Sequence, residues 1–167
     1  MAKKIAWAAA FIVVAALLQS TLFSRLALYM YAGPDLALLI VVYCAYLNGS
    51  LHGEILGFLA GFLVDLLSQA PVGFHMVIFT AIGALAGLLK GNFFLDFILL
   101  PLALCAGATA AKAAASLILY FLFSTPAYSF SRPMFWVELA LNTALGPFLF
   151  ALLNRFRPLL AVRREAE

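Results

Sequence analysis

Polar residues in this chain fall in short clusters, and between the clusters the sequence is almost continuously apolar. Six apolar runs result: Ile5 to about Phe23, Leu36 to Leu47, about Leu51 to Leu67, about Phe74 to Leu89, Phe93 to Phe123, and about Met134 to Leu153. The breaks carry turn chemistry, as in Gly33-Pro34-Asp35, Asn48-Gly49-Ser50, Ser68-Gln69-Ala70-Pro71-Val72-Gly73, Lys90-Gly91-Asn92 and Ser124-Thr125-Pro126. Runs of this length are predicted to be helices that cross a bilayer, because only a helix or a closed barrel satisfies its own backbone in lipid. The expected fold is an all-α membrane protein, a compact bundle of about six transmembrane helices. Residues 1–167 are expected to form one integral membrane domain with a basic C-terminal tail from about 154 to 167.

Two runs depart from a simple span. Leu36 to Leu47 is about a dozen residues, roughly 18 Å of helix, so it spans with help from its flanks, or is partial or tilted. Phe93 to Phe123 is longer than one span needs, and Pro101 in its first third predicts a lead-in segment or kink before a main helix.

The third run has an internal pattern. Gly53, Gly57 and Gly61 recur every fourth residue and Asp65 follows four later, so all four share one helix face. Interior glycine costs a helix in water about 1 kcal/mol against alanine. In lipid the same spacing lets a second helix approach closely. Gly83 and Gly87 repeat the step in the next run, which predicts an antiparallel hairpin packed through glycine, with Asp65 near its turn and His75 just beyond.

Composition agrees with a lipid solvent: 66% of residues are hydrophobic and 10% charged, where a soluble domain carries about 25% charged residues. The net charge of +3 does not point to nucleic acid, because the basic residues sit at segment ends. Placing Lys3, Lys4, Lys90, Arg155, Arg157, Arg163 and Arg164 inside leaves only Arg25 and Arg132 outside. That asymmetry predicts an even number of crossings with both termini cytoplasmic. Lys3-Lys4 before an apolar core also describes a signal peptide, but Gln19-Ser20-Thr21 stands where a small-residue cleavage site would be, so an uncleaved first helix is expected. Cys44 and Cys105 lie inside apolar runs and read as packing residues rather than a disulfide framework. Trp7, Tyr29, Tyr31, Tyr128, Phe130 and Trp136 gather near the predicted interfaces and read as anchors.

Three ionisable residues fall within the spans: Asp65, Lys112 and Glu138. Each would cost about 2.5–3.5 kcal/mol at the bilayer centre on insertion scales, so such groups pair or line a cavity. Lys112 is expected to meet Asp65, Glu138 or both, with Asn142 and Gly146 continuing the Glu138 face and His75 able to join. This cluster reads either as a buried ion pair that fixes helix packing or as a polar pocket opening outward. His52-Gly53-Glu54 lacks the spacing of a helical zinc motif, so no metal site is expected. No nucleophile–base arrangement or phosphate-cradling loop is visible, so neither an enzyme nor a cofactor is expected.

Leu17-Leu18-Gln19-Ser20-Thr21-Leu22, Pro34-Asp35 opening a short apolar segment, the glycine helix ending in Asp65-Leu66-Leu67, and Pro71-Val72-Gly73-Phe74-His75 occur in that order. With this length, the chain resembles the rod shape-determining MreD family over most of its extent. The resemblance implies a non-enzymatic scaffold or regulator of cell elongation and peptidoglycan synthesis in the bacterial inner membrane. Its implied partners are MreC, the actin-like MreB indirectly, RodA with its class B penicillin-binding transpeptidase, and membrane lipid. Gln19, Pro34 and Asp35 become candidates for partner contact. The family is also similar to the S components of energy-coupling-factor transporters, six-helix vitamin-binding subunits. That likeness supplies the alternative function, a substrate-binding subunit with an outward pocket at Asp65, Lys112 and Glu138 and a coupling surface at Ala110–Ala115.

Overall fold

A computed structural model describes residues 2–23, 33–68, 70–91, 98–123 and 133–162. Its elements are α1 (Ala2–Leu18), α2 (Leu36–Asn48), α3 (Ser50–Leu67), α4 (Phe74–Leu88), α5 (Leu99–Phe123), α6 (Pro133–Arg155) and a last single turn, α7 (Arg157–Leu160). Each of the six apolar runs is therefore helical over its described residues, or nearly all of them. Arg25, Arg132, Arg163, Arg164, Tyr29, Tyr31, Tyr128 and Phe130 lie outside the described residues, as does the stretch 93–97 in which a lead-in to α5 was expected.

The helix boundaries have local causes. α1 widens into a π turn over Gln19–Phe23, where the Ser20 and Thr21 hydroxyls donate back to the Leu17 carbonyl. Asp35 caps α2, its Oδ1 accepting from the Leu38 amide at 3.2 Å. Only Gly49, at φ +103°, separates α2 from α3, a backbone state that other residues avoid. Pro101 stands in the first turn of α5, where its missing amide hydrogen leaves no helical bond broken.

Among the described residues, four helices are long and apolar enough to cross a membrane: Lys3–Thr21, Ser50–Leu67, Leu99–Phe123 and Pro133–Arg155. The two shorter ones, α2 with 13 residues and α4 with 15, measure about 20 and 22 Å. α2 is the centre of the bundle. Its nine consecutive residues Ala37 to Ala45 are all buried, and it packs against each of the other five long helices. Those five surround it in the order α1, α3, α4, α5, α6, each on the next, and α7 closes the ring between α6 and α1. A helix apolar on every side is one enclosed on every side. The segment that looked too short for the bilayer is thus the one surrounded by protein.

α3 and α4 form the expected antiparallel hairpin. A Cβ on Gly53 would strike the Gly83 carbonyl, one on Gly57 the Phe79 carbonyl, and one on Gly61 the His75 carbonyl; one on Gly87 would strike the Ser50 backbone. The outer surface is apolar, with Val14, Phe62, Leu85, Phe121, Phe148 and Leu152 exposed.

Lys4 donates to the Pro158 and Ala161 carbonyls, so the two described ends of the chain meet at one end of the bundle. There Asn48 holds the segment after α6, donating to the Leu160 carbonyl at 3.1 Å and accepting from the Val162 amide at 2.7 Å. The stretch expected to begin a tail at about 154 is instead folded onto the bundle as far as residue 162, with Leu160 buried and Phe11 against the Phe156 ring.

Candidate functional site

Three elements bring charged groups together at the end of the bundle opposite the chain ends. Asp35 comes from the start of α2, Lys112 from the middle of α5, and Glu138 from the second turn of α6. The Lys112 ammonium donates to Asp35 Oδ2 at 2.6 Å and to Glu138 Oε1 at 2.8 Å. Both carboxylates are buried, and only 13% of the Lys112 side chain is exposed. The sequence pairing of Lys112 with Glu138 is present. Asp65 is not its other partner; that position belongs to Asp35.

Asn142 ties the cluster together one turn below Glu138. Its Oδ1 accepts from the Asp35 amide at 2.8 Å, and its Nδ2 donates to Thr109 Oγ1 at 3.0 Å, with Glu138 Oε1 at 3.5 Å beside it. The Thr109 hydroxyl in turn donates to the Cys105 carbonyl at 2.8 Å. Asn142 and Thr109 are fully enclosed. The network needs such completeness, because a half-satisfied polar group in a low-dielectric interior costs more than an apolar one. Gly146, one further turn along α6, does not join it. It lets α6 settle on α5, where a Cβ would stand 2.6 Å from Cys105 Sγ.

Asp65 closes the glycine hairpin instead. Its Oδ2 accepts from the amides of Gly73 at 2.8 Å and Met76 at 3.3 Å, and its Oδ1 from the His75 amide at 2.9 Å and ring Nδ1 at 2.8 Å. The carboxylate thus takes up the orphan amides at the start of α4 and orients the His75 ring. Gly73 makes this geometry available by adopting φ +103°. Among the described residues Asp65 shares no hydrogen bond with Lys112 or Glu138; with His75 it forms a second polar group at the hairpin turn.

The residues proposed for partner contact divide. Pro34 and Asp35 are buried and serve the core. Gln19 lies beside a cleft of about 200 Å³ between α1 and α3, also lined by Ser20 and Ser68, and its Oε1 has no hydrogen-bond partner among the described residues. The same holds for His52 Nε2, near the start of α3. Thr109 was missed from the sequence although it lies three residues before Lys112, on the same helix face. Among the described residues no group of three or more His, Cys, Asp or Glu is placed to hold a metal.

No curated protein and no solved structure matches the chain. The family model for rod shape-determining protein MreD matches residues 1–156, nearly the whole bundle through the end of α6. The chain belongs to the MreD family of rod shape-determining proteins, and within it is an all-helical, multi-pass membrane protein.

Proposed function

We propose that this protein is a non-enzymatic scaffold of the cell-elongation machinery in the bacterial inner membrane, which docks MreC and the cell-wall synthases through transmembrane helix packing. MreB is reached indirectly. The observation that carries the reading is the use made of the intramembrane charges: Asp35, Lys112 and Glu138 bond to one another, and Asp65 bonds to its own hairpin turn. Groups spent on fixing helices leave recognition to the outer faces, where apolar side chains meet lipid or another helix. Both termini are cytoplasmic in this reading, supported by Lys4, Arg155 and Arg157 at the end of the bundle where the chain ends meet.

The test is co-purification of the tagged chain in mild detergent, with mass spectrometry of proteins and small molecules. Recovery of MreC or of RodA with its transpeptidase is expected. A stoichiometric vitamin with an ATPase-coupled partner, and no cell-wall protein, would overturn the scaffold in favour of a transporter subunit.

A further inference from the structure

Of the four described acidic side chains, three are used inside the bundle, and Glu54 is not. It is the fifth residue of α3, about 6 Å along the helix from its start. It lies at the chain-terminus end, on a groove of about 500 Å³ that runs along the outside of the α3–α4 hairpin. Phe58, Val77, Thr80, Ala81 and Ala84 line that groove. The Glu54 carboxylate has one donor among the described residues, the Ser50 hydroxyl at 3.0 Å. That hydroxyl has a single hydrogen and lies 3.1 Å from the Ala84 carbonyl as well. A carboxylate accepts about four hydrogen bonds; Asp65 receives four and Glu54 a share of one.

An under-bonded carboxylate in an apolar groove is matched by a cation arriving from outside. A second copy of this chain is a poor source. A two-fold pairing on this face would place the two Glu54 side chains at one depth, near the axis and like in charge. A foreign single-pass helix is a good one, because such helices carry Lys or Arg at their cytoplasmic ends, the depth at which Glu54 lies if the chain ends are cytoplasmic. We infer that the outer α3–α4 groove receives a transmembrane helix of another protein, packed over Thr80, Ala81 and Ala84 with a Lys or Arg of that helix on the Glu54 carboxylate. This rests on the helix-docking function proposed above and gives it a site.

The test uses the full chain in phosphatidylcholine vesicles, with Val77→Cys in the groove and Phe148→Cys on α6 as the control position. The probe is a Leu/Ala transmembrane peptide bearing one Lys a turn from its end and a single cysteine. Disulfide trapping at Val77→Cys but not at Phe148→Cys is expected. A roughly tenfold or greater loss of trapping is expected on Glu54→Gln, or when the peptide's Lys becomes Gln, as fits a charged hydrogen bond. Trapping that ignores both changes, or that is equal at the two positions, overturns the proposal. Loss of lysine dependence on adding phosphatidylethanolamine at mole fractions typical of a bacterial membrane also overturns it, by making the lipid ammonium the occupant. A chain that captures MreC while its groove ignores the peptide keeps the scaffold and loses the site; the opposite pair of results keeps the site and loses the scaffold.

Discussion

The α3–α4 hairpin and the junction of α2, α5 and α6 solve the same problem by opposite means. The hairpin joins neighbours in sequence with almost no side chain between them: Gly53 faces Gly83, and Gly57 faces the Phe79 carbonyl. The junction joins segments 77 and 107 residues apart through long polar side chains, Lys112 to Asp35 and Asn142 to the Asp35 amide. Lipid tails are as apolar as leucine, so apolar burial alone does not choose a partner helix. Dry backbone contact suffices where a short turn already brings two helices together. Where the chain returns from far away, directional hydrogen bonds select one arrangement among many apolar ones.

The largest effect is expected at the junction. Lys112→Ala leaves two buried carboxylates facing each other, and removing one partner of a buried ion pair costs about 3–5 kcal/mol. The combined variant Asp35→Asn, Lys112→Met and Glu138→Gln removes all three charges and is expected to recover a good part of that loss. Thermal unfolding in mild detergent separates the two. If the neutral triple variant unfolds as early as Lys112→Ala, the ion pairs contribute something other than the mutual compensation described here.

The hairpin should be less costly to damage, but damage there should be independent of charge. Gly83→Val places branched carbons on the Gly53 carbonyl, so α3 and α4 must separate, at about 1–3 kcal/mol or more for overpacking. Combined with Lys112→Ala, its effect should add, since the two contacts share no residue. Strong non-additivity in unfolding midpoints would show the two regions to be one cooperative unit.

The same contrast explains what could be read before the fold was known. Glycine spacing is local, so the Gly53–Gly61 face and its Gly83–Gly87 partner were legible four residues at a time, as were all six helices. The charged junction was legible only as to its members. Lys112 and Glu138 announce themselves because charge in an apolar run must find a partner, but Asp35 sits at a helix start, where a cap explains it fully. Nothing local says that its second oxygen reaches α5, and Asp65 was therefore given its place. The surroundings of α2 were hidden in the same way. A dozen residues look inadequate against a bilayer, and only the ring of five helices around it shows that its surroundings are protein. The path of the segment after α6 was likewise hidden, because Asn48, which holds it, reads as a turn residue.

The smallest predicted effect tests whether a glycine in this chain is meaningful by itself. Gly107 lies in the middle of α5, in the same small-residue stretch as Lys112, and by composition resembles the hairpin glycines. Yet a Cβ built on it meets nothing within 4 Å. It lines a groove of about 230 Å³ between α4 and α5, together with Ala86, Ala103 and Ala108. Gly107→Ala should therefore leave the unfolding free energy unchanged or raise it by up to about 1 kcal/mol, the helix preference of alanine over glycine. Gly146→Ala, which presses on Cys105 from the neighbouring helix, should lower it. A drop of more than about 1 kcal/mol for Gly107→Ala in purified protein would mean that this groove closes on something the bundle itself supplies. A drop seen only in membranes, with the purified protein unaffected, would place a packing partner on that face; the size of the residue at 107 then matters to an assembly and not to the fold.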